Sequence, residues 1–115
     1  MGATKHLDLT LIDGYLEALD ISVIKQMLDL YVEQSSLYME DIQHAVNSDD
    51  SKAWQEHCHK MKGSAASAGL KLVHQKLVYL EKTGENRDYK QQQVKALLAL
   101  NGEAINAFQQ WLLGK

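Results

Sequence analysis

The run His59-Lys60-Met61-Lys62-Gly63-Ser64-Ala65-Ala66-Ser67-Ala68-Gly69-Leu70 sets an imidazole, a lysine and a glycine within one stretch of helix. Residues three and four apart are surface neighbours on a helix. His59 therefore stands beside Lys62 and Gly63, with Ala66 a turn further on. The apolar stripe lies elsewhere, on Trp54, Cys58, Met61, Ala65 and Ala68, the spacing of a buried face. At about 100° per residue, His59 falls well off the centre of that stripe and Lys62 falls between the two faces. The histidine is expected to meet water, beside a cation and small side chains. Such an imidazole is a nucleophile that a large partner can reach: one ring nitrogen is held while the other reacts. If the group transferred is a phosphoryl, its moving oxygens need charge neutralisation. Lys62 offers a point charge for that, and Gly63 keeps the adjoining surface clear.

Charge around the histidine points the same way. The 115-residue chain has a formal charge of −3, yet no Asp or Glu occurs from His57 to Leu80, while Lys60, Lys62, Lys71 and Lys76 do. A local positive field on an acidic protein favours a phosphoryl group and an acidic partner surface; the bland alternative is a solvated lysine face. The overall charge argues against generic nucleic-acid binding. His57-Cys58-His59 resembles a metal cluster, but residues two apart on a helix diverge, so no metal site is expected. Cys58 reads as a small buried hydrophobe, and its lack of a pairing partner suits a reducing compartment. His6, His44 and His74 read as surface residues, and Trp54 and Trp111 as core. No Ser-His-Asp set, glycine-rich phosphate loop or paired-carboxylate motif is visible.

These residues need a scaffold of helices. Proline is absent and helix formers abound, which favours long uninterrupted helices. A short helix is expected over about Asp8–Leu19, with Leu9, Ile12, Leu16 and Leu19 on its apolar face. A long one follows to about Asn47, capped by Asp20 or Ser22 and burying Ile24, Met27, Leu28, Tyr31, Tyr38, Ile42 and Ala45. Asp50 or Ser51 caps the helix of His59, which stops at Gly69 in a positive-φ turn. A fourth helix spans about Leu70–Lys82, packing Leu70, Val73, Leu77 and Leu80. The last spans about Asp88–Leu113, with Val94, Leu97, Leu98, Ile105, Phe108, Trp111 and Leu112 inside. Short connections join antiparallel neighbours. The expected fold is all-α: a single domain over residues 1–115, a four-helix up-down-up-down bundle with a short additional N-terminal helix across one end. Residues 1–6 are expected to be a disordered or added leader. No apolar stretch approaches the roughly 20 residues of a membrane span.

The run from His59 to Gly69 resembles the H-x-x-K-G-[SA]-[SA]-x-x-x-G signature of histidine-containing phosphotransfer (HPt) domains. Among these it is most similar to the domains that end bacterial hybrid sensor kinases, the ArcB-like type in particular, and the likeness extends from Leu7 to about Leu113. The resemblance implies a phosphorelay intermediate of two-component signalling. His59 would accept a phosphoryl group from a receiver-domain aspartate and pass it to another receiver. Lys62 would neutralise the phosphoryl charge, and Glu81, at His59's level across the Gly69 turn, would orient the imidazole. The receiver would dock over Lys60, Gly63, Ala66, Lys71 and His74. The resemblance also implies a phosphocarrier, not an enzyme, with no ATP-binding segment. It needs no cofactor of its own, Mg²⁺ coming from the receiver. Its partners would be response-regulator receiver domains, with no nucleic acid and no membrane contact. The isolated domain is expected to be a monomer in the cytoplasm, at the cytoplasmic end of a sensor kinase where it is attached to one. A helical adaptor without phosphate chemistry and a small metal- or haem-binding bundle are the competing classes.

Overall fold

The computed structural model describes residues 4–115, which form helices joined by short turns. A 3-10 turn at Thr4–His6 precedes α1 (Leu9–Ala18), α2 (Ile21–Asn47), α3 (Ser51–Ser67), α4 (Lys71–Lys82) and α5 (Arg87–Leu113). Side-chain oxygens start four of them. Asp8 accepts from Leu11 N at 3.2 Å, Asp20 from Ser22 N at 3.0 Å, Asp50 from Ala53 N at 3.0 Å and Asn86 from Tyr89 N at 2.9 Å. Each satisfies a backbone donor that the first turn leaves unpaired. Helix α4 starts without such a cap, at Leu70.

Helices α2, α3, α4 and α5 pack each against the next, and α5 closes back on α2. That cyclic order is the expected four-helix bundle, and α2 and α5, at 27 residues each, span its 43 Å long axis. Ile24, Leu28, Ile42, Trp54, Met61, Leu77, Leu80, Leu97 and Phe108 fill the centre. Trp54 ties three helices together: its indole N–H donates to the Leu80 carbonyl at 2.7 Å, and the Lys90 ammonium lies 5.1 Å from its ring centroid. Between α2 and α5 a buried polar chain sets the register. The Tyr31 hydroxyl donates to Asn101 Oδ1 at 2.6 Å, and Asn101 Nδ2 donates to Ser35 Oγ at 3.1 Å. No helix among the described residues is long and apolar enough to cross a membrane.

The turn between α3 and α4 is a Schellman stop. Leu70 N bonds to Ala65 O at 3.0 Å and Gly69 N to Ala66 O at 3.1 Å, with Gly69 at φ +74°, the conformation glycine adopts without penalty. The same pattern ends α2, where Asp50 N reaches Ala45 O at 2.9 Å and Asp49 takes φ +53°. The N-terminal segment closes over the Gly69 turn. Asp8 N donates to Gly69 O at 2.8 Å, Leu7 pairs with Leu70 in an isolated bridge, and the Tyr15 hydroxyl donates to Ser67 O at 2.9 Å.

Leu19, expected on the apolar face of α1, lies just past its end and is 39% exposed, and three further expectations need correcting. The leader expected over residues 1–6 is already structured at Thr4–His6; its first three residues lie outside the described ones. His6, expected at the surface, is buried, only 5% exposed, with Nε2 3.8 Å from Glu103. Leu7 and Leu70 need a cover at that end, and the 3-10 turn carries His6 in with them. Leu98, expected inside, is 59% exposed. The buried stripe of α5 runs through Lys90, Val94, Leu97, Asn101, Ala104 and Phe108, which places Leu98 about 100° away from it.

Two outcomes follow from this packing. A Cβ on Gly69 would stand 2.8 Å from Ile12 Cγ1 in a backbone region that disfavours L side chains. Gly69→Ala should lower unfolding stability by about 2 kcal/mol, read from the urea midpoint; a loss within about 0.5 kcal/mol would mean that α1 and the turn yield freely. Burial, with the negative charge of Glu81 nearby, pushes the Cys58 thiol up to about 12. Only thiolate reacts, so disulfide-reagent labelling at mildly alkaline pH should proceed at the rate of unfolding, and rapid labelling of the folded protein would contradict the packing of α3.

Candidate functional site

His59 projects from the middle of α3, 68% exposed, on the side facing α4. The Gly69 turn fixes what it meets. Across it α3 and α4 run antiparallel, and Glu81, in the last turn of α4, falls opposite His59. Nδ1 of His59 lies 2.9 Å from Glu81 Oε1. Lys62, the next residue on that side of α3, places Nζ 3.0 Å from the same oxygen. Glu81 and Lys62 are half-buried, 18% and 22% exposed. One carboxylate oxygen thus serves an imidazole and an ammonium together.

The protonation states follow. The hydrogen bond from Lys62, aided by His59, holds the Glu81 carboxyl below its ordinary range against the opposing effect of burial. At neutral pH Glu81 is therefore ionised and only accepts. A depressed carboxyl pKa means the pairing is complete above the usual carboxylate range and is lost as pH falls through the folded-state value. Because Glu81 only accepts, Nδ1 carries the ring proton. In the neutral ring Nε2 then holds its lone pair toward solvent. The geometry presents one defined nucleophilic nitrogen.

The surroundings are open. His59, Glu81, Gln55, Glu56, Lys60 and Lys82 line a shallow cleft of about 650 Å³ between α3 and α4. Lys60, Gly63, Ala66 and Lys71 are exposed and His74 is half-buried. A Cβ on Gly63 would meet nothing within 4 Å, so nothing in the chain's own packing calls for a glycine there. His57 turns away from His59 toward α2, half-buried, with Nδ1 3.9 Å from Asp41. Among the described residues no three His, Cys, Asp or Glu side chains gather as a metal site would require. A second groove of about 600 Å³, floored by Met39, Val94 and Ile105, lies between α2 and α5 on the opposite face of the bundle.

Glu56 and Lys82, which flank the cleft, were not singled out by spacing. Glu56 sits one turn before His59, a signal that was there to be read; Lys82 required the α3–α4 register. The resting partner of Lys62 was not foreseen. Its ammonium lies on Glu81, not free over the reactive nitrogen.

Gly63 supplies a test of the surface. Helix-interior glycine is less stable than alanine by about 0.5–1 kcal/mol, so Gly63→Gln should keep or slightly raise the melting temperature. It should also weaken binding of a protein that docks over His59. An unchanged binding titration would show that this surface is not covered by the partner.

A sequence model of the Hpt domain family matches residues 26–111. The fold is similar to that of the histidine-containing phosphotransfer domain of ArcB from Escherichia coli, with a TM-score of 0.88 at 19% sequence identity, covering 99% of this chain and 98% of that one. A search of curated protein sequences finds no significant match.

Proposed function

The chain belongs to the Hpt domain family and is a phosphorelay intermediate of two-component signalling, and we propose that His59 is the residue that carries its phosphoryl group. The observation that supports this is the pairing of Nδ1 with Glu81 at 2.9 Å on a ring that is otherwise exposed. It leaves Nε2 as the nucleophile. In the loading step the Nε2 lone pair attacks phosphorus in line with the bond to the receiver's aspartate. That O–P bond breaks and its electron pair returns to the carboxylate. The ring becomes an imidazolium whose Nδ1 proton stays at Glu81, and Lys62 neutralises the phosphoryl oxygens. Transfer onward is the reverse at a second receiver. No proton has to be found or lost in either direction.

Receiver domains are the partners. The exposed surface of Lys60, Gly63, Ala66 and Lys71, with half-buried His74, is the docking face we assign them. Its lysines steer an acidic active-site pocket onto His59 and speed encounter more than they tighten the complex. The divalent cation of the reaction belongs to the receiver. The chain works as a carrier, and we place it in the cytoplasm, where a lone cysteine stays reduced, alone or as one domain of a hybrid kinase. Residues 4–115 form one folded unit with a shared core, as a free-standing monomer requires.

His59→Gln should abolish phosphoryl uptake from a phosphorylated receiver while shifting stability by no more than about 0.5 kcal/mol, as surface substitutions do. Mass spectrometry of the carrier after incubation and a thermal melt of the same sample read both. Continued phosphorylation would move the site elsewhere, and a large drop in melting temperature would make His59 a structural residue.

A further inference from the structure

We propose that Lys62 exchanges between two anions, the Glu81 carboxylate in the empty carrier and the phosphoryl group in the loaded one, and that Glu81 thereby sets how readily His59 gives its phosphoryl group up. This rests on His59 being the phosphorylated residue.

The observation behind it is a single atom. Glu81 Oε1 accepts from His59 Nδ1 at 2.9 Å and from Lys62 Nζ at 3.0 Å. The lysine is therefore held on the Nδ1 side of the ring, while the phosphoryl group arrives on Nε2. A doubly charged phosphoryl is the stronger attraction for an ammonium, and the flexible four-carbon stem of lysine lets Nζ move between them. Once Lys62 leaves, Glu81 still accepts from Nδ1, and the imidazolium that loading creates is the one cation left on its oxygen. A half-buried carboxylate then stands near the phosphoryl as a like charge, with the imidazolium between them.

Giving up the Lys62–Glu81 pairing favours release at equilibrium, and a protonated Nδ1 speeds it. Lys62 stabilises the phosphoryl group by less than a lysine with no rival anion would, because its pairing with Glu81 is given up. The carboxylate also keeps Nδ1 protonated, so the group that leaves phosphorus is a neutral imidazole and not an imidazolate. In the onward step an oxygen of the receiver aspartate forms the new O–P bond, the Nε2–P bond breaks, and its electron pair returns to Nε2. The proton remains on Nδ1 throughout, and Lys62 returns to Oε1. Glu81 is in this sense a positioning residue with a second effect: its charge keeps the loaded carrier poised to discharge.

Glu81→Gln retains an acceptor of the same size for Nδ1 and removes the charge. His59 is loaded from a phosphorylated receiver, and the carrier is then isolated and offered a fresh receiver. The phosphoryl fraction retained at equilibrium is measured by mass spectrometry, with the onward rate measured alongside. The expected result is a shift of about tenfold toward retention on Glu81→Gln, the factor equivalent to about 1.4 kcal/mol, with slower onward transfer. In a Lys62→Met background the same substitution should shift retention by clearly less, because the exchanging cation is gone. An equilibrium unchanged within about twofold, or an undiminished shift in the Lys62→Met background, would overturn the exchange. Failure of the unaltered protein to load at His59 would instead overturn the function on which it rests. Unlike loss of orientation alone, which slows loading and discharge together, the exchange moves the equilibrium.

Discussion

One turn governs the rest of the molecule. The left-handed conformation at Gly69 closes α3 and lets α4 begin antiparallel to it, and that fixes which residue of α4 lies level with His59. The register is not adjustable. A residue more or less in the turn would rotate α4 by about 100° and carry Glu81 away from the imidazole. The N-terminal segment acts on the same point. The Asp8 amide, the Leu7–Leu70 bridge and Ile12 all bear on the Gly69 turn, so the most distant part of the sequence holds the geometry of the site.

The chemistry has a division of labour. The nitrogen we propose as reactive belongs to an exposed side chain, as it must if a whole protein domain is to reach it. The groups that define its protonation and charge, Glu81 and Lys62, are half-buried beside it. Burial strengthens their pairing by reducing screening, and the pairing in turn keeps Glu81 ionised. Exposure of the nucleophile and definition of its tautomer would conflict if both had to come from one side chain. Two adjacent helices separate them.

Much of this was legible in the sequence, and the reasons differ by residue. Two helix starts were written in Asp20 and Asp50, whose side chains have one common use at such positions; Asp8 and Asn86 cap α1 and α5 in the same way without having been read as caps. The stripe of Trp54, Cys58, Met61 and Ala65 gave the orientation of α3, and with it the exposure of His59. The pairing of His59 with Glu81 followed from counting across a turn that glycine made recognisable. What stayed hidden was polar and buried. Asn101 and Lys90 occupy interior positions of α5 that a search for apolar periodicity passes over, since their partners, Tyr31 and Trp54, lie on other helices. The same blindness turned Leu98 inward on paper: an apolar residue beside Leu97 counts toward a stripe whose true members include an asparagine. His6 was misjudged because a terminal histidine carries no local sign of being covered. The attachment of Lys62 to Glu81 needed two side-chain conformations at once, which spacing alone does not supply.

The indole of Trp54 has a consequence for motion. Glu81 sits in the final turn of α4, and final turns are where helices open first, since their carbonyls lack partners within the helix. Here the carbonyl just before Glu81, that of Leu80, receives the Trp54 N–H at 2.7 Å, and the ring behind it is among the most completely enclosed groups in the protein. Opening the end of α4 therefore means withdrawing a bond from the centre of the bundle. The fraying that would let the carboxylate drift is raised from a local event of small free energy toward the cost of disrupting the core itself, and amide hydrogens around Leu80 and Glu81 are expected to exchange slowly with those of the interior. The imidazole stands out in water, but the oxygen that steadies it belongs to the residue next to one bonded into the core.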